Sequence, residues 1–371
     1  MRPRLHRRLL AVAVAATVTM AACGSESNGF ATAARPAGSV VGPLSSAPTS
    51  ATTAVDPVTL RLGFFPNLTH APALVGIHNG IFARDLGPNV KLATSSFNAG
   101  PEAIEALFAG AIDATFIGPN PAINAYAKAS GAAIRIISGT TSGGAFFVVS
   151  KDIHSAADLK GKTVASPQLG GTQDVALRSW LASQGLATDT AQGGDISISP
   201  QSNADTLTAF KNGDIAGAWV PEPWATRLLL EGNGKVLVDE RDLWPHGQYV
   251  TTHLIVSTDF LKAHPDVVES LVKGVVVDSI DAITADPAAA QAAANAEIAA
   301  VAGKPLSDAV IAAAWKNLSF TPDPIASSLA KSAKDAEAIG LLDPVDLSGI
   351  YDLDALNKVL AGLGRAKVSG P

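Results

Sequence analysis

The chain has 371 residues, of which 47% are hydrophobic and only 16% charged, so material for packed cores is ample and global disorder is excluded. Its formal net charge of −6 argues against nucleic acid as a partner, since phosphate binding needs a basic face. At roughly 100–200 residues per domain the length suggests two or three domains. With one cysteine no internal disulfide can form, so the fold must stand on its cores.

Residues 1–8, MRPRLHRR, are basic, and LLAVAVAATVTM (9–20) is apolar but shorter than the roughly 20 residues a spanning helix needs. Residues 1–22 therefore read as a signal peptide. Small residues precede Cys23, as in a bacterial lipobox, although Met20 stands where that pattern usually has Leu. Cys23 is expected to carry a lipid. Residues 23–56, rich in Ala, Ser, Thr, Pro and Gly, show no hydrophobic period and read as a flexible tether. The expected location is outside the cell, lipid-anchored to the outer face of the cytoplasmic membrane. Removing Arg2, Arg4, Arg7 and Arg8 with the leader would bring the charge to −10 (−6 minus 4).

From residue 57 the predicted elements alternate. VTLRLGFF (58–65) reads as a strand, 70–84 as a helix, 90–97 as a strand and 100–110 as a helix with Pro101 in its first turn. Then follow a strand at 113–118, a helix at 120–129 and a strand at 134–139. Alternation with helices of this length implies crossover connections and a mostly parallel sheet. The order restarts at 145: strand 145–150, a short helix and strand within 155–166, helix 170–186, strand ISIS, helix 203–213, strand IAGAWV, helix 222–232 and strand KVLV. After HLIVSTDFL, a return strand, the remainder is helical, its Ala-rich segments starting at Asp, Ser or Pro.

One phrase is written twice. GAIDATFIGPNPA (110–122) and GDIAGAWVPEPWA (213–225) share Gly110 with Gly213, Ile112 with Ile215, Phe116 with Trp219 and Ile117 with Val220. Each copy is a strand delivering a Pro-rich turn and a helix start. Ligands of open α/β sheets bind outside the carboxyl ends of strands, so two such halves facing each other make a cleft.

GFFPNLTHAPALVGIHNGIF, AGPEAIEALFAGAIDATFIGPNPAINAYAKASG, DLKGKTVASP and AFKNGDIAGAWVPEPWATRLL resemble the solute-binding proteins of ABC importers, in the branch whose members bind sulfonates, taurine, nitrate or bicarbonate, and thiamine-precursor pyrimidines. The resemblance covers about 57 to 360. It implies an α/β, two-lobed periplasmic-binding-protein-like (type II) fold, with a mixed, mostly parallel sheet in each lobe and a helical C-terminal layer on lobe 1. Lobe 1 would be 57–144 plus 252–371 and lobe 2 145–251, hinged near Ser142–Phe147 and Gln248–Ile255. It further implies a monomer that binds a small anionic or zwitterionic solute, works with an ABC permease and its cytoplasmic ATPase, and is not an enzyme. No cofactor or metal is expected. The solute of first choice is taurine or an alkanesulfonate; a thiamine-precursor pyrimidine or nitrate is the alternative.

An anion in an acidic chain needs local donors, and small residues at helix starts expose backbone N–H groups. Gly100, Pro101, Gly118, Pro119, Asn120, Gly171, Thr172 and Gln173 are candidates on that ground, and the 140–144 loop adds Thr140, Thr141 and Ser142. The resemblance places Pro66, Asn67 and His70 on the cleft. Trp219, Glu222 and Trp224 come from the second copy of the phrase. Glu222 would add a charge-assisted hydrogen bond of roughly 1.5–3 kcal/mol to an amine-bearing solute and would cost affinity for a plain anion. Asn120 and Glu222 are both expected to face the shared cavity. Against a secreted enzyme, the chain lacks G-x-S-x-G, P-loop, H-E-x-x-H and G-x-G-x-x-G patterns, and Asp352 and Asp354 read as helix caps. His246 and His253 lack a strong metal spacing. Two inward-pointing strand ends argue against an adhesin.

Overall fold

The computed structural model describes residues 57–370. The signal peptide, Cys23 and the tether lie outside the described residues. Two sheets organise the chain. The first contains β1 (Val58–Phe64), β2 (Val90–Ser96), β3 (Ala114–Ile117), β4 (Ile134–Gly143), β10 (Val250–Ser257) and β11 (Leu318–Phe320), in the order β11-β4-β10-β3-β1-β2. The second contains β5 (Ala145–Val149), β6 (Thr163–Ser166), β7 (Ser197–Pro200), β8 (Gly217–Pro221) and β9 (Lys235–Asp239), in the order β7-β6-β8-β5-β9. The crossover units β1–β2, β1–β3, β6–β7 and β6–β8 pair in parallel. β10 runs antiparallel to β3 and β4, β11 antiparallel to β4, and β5 antiparallel to β8 and β9. Both sheets are thus mixed, and the antiparallel share exceeds the sequence expectation because the strands at the two chain crossings return against the crossover units.

Side chains alternate across each sheet with period two. On β5, Phe147 and Val149 join Val164, Ile198, Leu177 and Trp219 on one face. Phe146 and Val148 join Ala218, Val220, Leu207 and Phe210 on the other. The first sheet is likewise covered on both faces, by a cluster around Leu60, Leu62, Phe116 and Leu254 and by one around Ile117, Ile123, Ile134 and Ile255.

Two local expectations change. The helix read at 70–84 breaks into Ala71–His78 and Ile81–Leu86, because Gly80 adopts φ 65° after Asn79, a conformation glycine takes without strain. The strand read at 134–139 runs on through Gly143, so Thr140, Thr141 and Ser142 lie in the ladder and not in a loop. Their partner β11, Leu-Ser-Phe, is three residues long, too short for its alternation to mark a strand in the sequence.

The C-terminal layer is not confined to the first sheet. The Asp308–Trp315 helix also packs on Trp224–Leu230, and the Ala326–Ala338 helix packs on both Pro119–Lys128 and Thr172–Ser183. Among the described residues no helix is long and apolar enough to cross a membrane.

Candidate functional site

A small cavity, about 30 Å³, lies between the two sheets at the strand ends. Four helix starts meet there. Ala99 and Gly100 open the Gly100–Phe108 helix, Gly118 caps Pro119–Lys128, Gly171 caps Thr172–Ser183, and Asn203 begins Asn203–Asn212. The caps Ala99, Gly118 and Gly171 make no side-chain hydrogen bond to their helices. First-turn N–H groups there are left for another acceptor, and the positive ends of the helix dipoles converge on one point. Residues from both sheets contribute, Phe65, Thr69, Asn98 and Thr251 among those from the first and Pro167 and Pro221 among those from the second.

Two buried atoms of this lining lack partners among the described residues: Thr172 Oγ1 and Asn203 Oδ1, on residues 8% and 7% exposed. A buried polar group without a partner costs about 1–3 kcal/mol; an oxyanion would accept from the Thr172 hydroxyl, whereas Asn203 Oδ1, an acceptor, calls for a donor on the solute or water. The described lining holds no Asp, Glu, Lys or Arg. Its titratable member, His70, is pushed down to about 3 by burial and is neutral. His70 Nδ1 accepts from the Phe65 N–H at 3.3 Å, which places the ring proton on Nε2 as a donor. The acids of the neighbouring first turns are occupied. Glu102 accepts from the Asn98 N–H (3.0 Å), and Asp174 accepts from Ser166 Oγ (2.7 Å) and Arg178 Nε (3.0 Å). The site is therefore neutral, with donors at its helix starts and on Thr172 and an acceptor at Asn203 Oδ1.

Of the residues singled out in the sequence, the structure gathers Asn67, His70, Gly100, Gly118, Gly171, Thr172 and Gln173 around the cavity. Pro66, Pro101 and Pro119 adjoin it without lining it. The others do different work. Asn120 Nδ2 donates to the Ser332 carbonyl (3.1 Å) and ties the Pro119–Lys128 helix to Ala326–Ala338. Thr140 Oγ1 donates to the Thr252 carbonyl (2.9 Å), Thr141 is fully buried, and Ser142 Oγ accepts from the Tyr249 N–H (3.4 Å). Trp219 is core: it stacks on Phe147 with ring centroids 5.6 Å apart, and its Nε1 donates to Glu240 at 2.7 Å.

Glu222 corrects the expectation most sharply. Its carboxylate accepts from the Thr226 N–H (3.0 Å), Thr226 Oγ1 (2.8 Å) and Asn317 Nδ2 (2.7 Å), and burial pushes its pKa up. It closes its own helix start and holds a C-terminal residue; it does not line the cavity. Trp224 also stands back from the cavity, but its Nε1 donates to Asn67 Oδ1 at 2.9 Å and so positions a lining residue from across the cleft. Asn120 and Glu222, expected to face the shared cavity, both turn away. Gly118 and Pro221, equivalent positions in the two copies of the repeated phrase, face it instead. Asn203 escaped sequence reading because the turn before it, SPQS, has no glycine, although it follows a strand like the other three starts.

A family model for the NMT1-like family matches residues 53–299, more than half of the chain. The chain belongs to the NMT1-like family. This NMT1-like chain is 27% identical over 209 residues to the taurine-binding periplasmic protein of Escherichia coli (strain K12), covering 55% of itself and 61% of that protein. To the putative aliphatic sulfonates-binding protein of the same organism it is 30% identical over 166 residues, covering 44% of itself and 50% of the relative. The match thus spans about half to three-fifths of these relatives' length. In structure it superposes on the alkanesulfonate-binding protein SsuA from Xanthomonas axonopodis pv. citri, bound to MOPS, with a TM-score of 0.66. That superposition covers 81% of this chain and 100% of the other at 22% identity. The fold is the two-lobed α/β fold of periplasmic binding proteins.

Proposed function

We propose that this protein is the extracytoplasmic solute-binding component of an ABC importer, and that it captures a short alkanesulfonate or similar small oxyanion between its lobes. The observation that carries this reading is the neutral cavity: four converging helix starts, with the Thr172 hydroxyl unpartnered, and no charged side chain in the described lining. Such a site holds a negative oxygen cluster by dipoles and hydrogen bonds. It offers no carboxylate to an ammonium, so the amine of taurine would find only neutral acceptors such as Asn203 Oδ1. The named solutes of the relatives support a sulfonate. The small cavity volume favours a second reading, nitrate.

Lobe 1 would comprise 57–144 plus 252–371 and lobe 2 145–251, hinged where β4 passes into β5 and where the chain enters β10. Closure on the solute would present a form that the permease recognises. A lipid on Cys23 would hold the monomer at the outer face of the membrane. Titration calorimetry with ethanesulfonate, taurine and nitrate tests the reading. Saturable one-to-one binding of ethanesulfonate at micromolar or lower concentration is expected, with taurine weaker by about tenfold because its ammonium meets no carboxylate. Absence of heat from all three overturns it.

A further inference from the structure

A second cavity, of about 220 Å³, lies apart from the first, between the Thr172–Ser183 helix, residues 240–244 and the Ala326–Ala338 helix. None of its lining residues lines the first cavity. Trp180, Leu243 and Trp244 give it an apolar wall, and Glu240 and Asp335 bring carboxyl groups. Glu240 is 2% exposed. Its Oε2 accepts from Trp219 Nε1 at 2.7 Å. Trp244 Nε1 is buried and faces the Glu240 carboxyl as well.

The protein itself shows which chemistry suits this wall. Lys331 Nζ sits 4.6 Å from the centre of the Trp244 ring and bonds Asp335 at 2.6 Å, an ammonium on an indole face against a carboxylate. Two carboxyl groups against one ammonium leave one negative charge unmatched when Glu240 is ionised. We propose that this cavity is a second binding site, separate from the interlobe cavity, for a small primary alkylammonium cation. The ammonium bonds Glu240 Oε1 and Asp335, and the alkyl group covers Trp180 and Leu243. The two cavities sort solutes by sign: the first has no acid in its described lining, the second has two. Because the Ala326–Ala338 helix is tied to the first lobe through Asn120 and Ser332, while Trp180 and Glu240 belong to the second, an occupant bridges the lobes and favours their closed arrangement.

The test is a titration of the full chain with ethylammonium chloride at constant ionic strength, sodium chloride making up the balance, followed by tryptophan fluorescence. The expected result is a saturable change that ethanol does not reproduce. Glu240→Gln should weaken it about tenfold or more through loss of a charge-assisted bond. Lys331→Met should strengthen it by removing the internal competitor. Burial pushes Glu240 up to about 7, opposed by the Trp219 and Trp244 indoles and Lys331 and assisted by Asp239, with Tyr249 buried nearby, so binding should tighten from pH 6 to pH 8. Trp244→Phe, which keeps an aromatic face, should weaken binding less than Glu240→Gln. The proposal is overturned by a response that never saturates, by equal affinity in a normally folded Glu240→Gln protein, or by an identical response to ethanol.

Discussion

Gly118→Val should weaken ethanesulfonate capture by about 10- to 100-fold, while the melting temperature of the unliganded protein changes little. The backbone at Gly118, φ −74° and ψ 163°, suits any residue, so the substitution strains nothing locally. The obstacle is across the cleft: a Cβ there would stand 2.2 Å from Thr172 Oγ1 and 3.2 Å from Thr172 Cβ. Thr172 begins the Thr172–Ser183 helix of the second lobe, and Gly118 caps Pro119–Lys128 of the first. If the lobes open without solute, as proposed above, the clash would arise only on closure and would act there and not on folding. Calorimetry gives the affinity, and X-ray scattering at saturating ethanesulfonate reads the radius of gyration, which should stay larger than that of the native chain. Native affinity in the variant would show that the lobes do not close over the solute at Gly118.

Glu240→Gln should stabilise the protein by about 3 kcal/mol at pH 8 and leave it nearly unchanged at pH 5. Burial pushes the Glu240 carboxyl up to about 7 from an ordinary value of 4.5. Between those values the unfolded chain has released a proton that the folded chain keeps. Stability therefore falls by about 1.4 kcal/mol per pH unit as pH rises through that window, and above pH 7 the loss is complete. Glutamine keeps an oxygen for Trp219 Nε1 and carries no charge to bury. Urea denaturation at the two pH values measures the difference; equal destabilisation at both would contradict it. His70 and His253 act in the opposite sense. Burial pushes them to about 3 and about 4, so their contribution is intact above pH 6.5 and is lost as pH falls below it.

The alternation of strands and helices was legible because hydrophobic period and glycine stops agree along most of the chain. The repeated phrase was legible too, and its meaning is physical: Phe116 and Trp219 are both fully buried, and two residues later Gly118 and Pro221 both meet the cavity. Reading one or two residues too far gave Asn120 and Glu222, whose polarity suggested a ligand. Both are satisfied instead by the C-terminal region, through Ser332 and Asn317, contacts some 200 and 100 residues away that no local pattern announces. The Thr140–Ser142 segment, flanked by Gly139 and Gly143, looked like a loop; the pairing that makes it a strand comes from residues 318–320. Donor geometry at a helix start can be anticipated from small residues, but which long-range partner claims a polar side chain cannot.

Amide hydrogen exchange with and without ethanesulfonate tests the central claim most directly. Slowed exchange is predicted together in four segments, 98–102, 118–124, 169–175 and 202–207, two from each lobe. Protection confined to one lobe, or lying outside these helix starts, would contradict a solute held between the two halves.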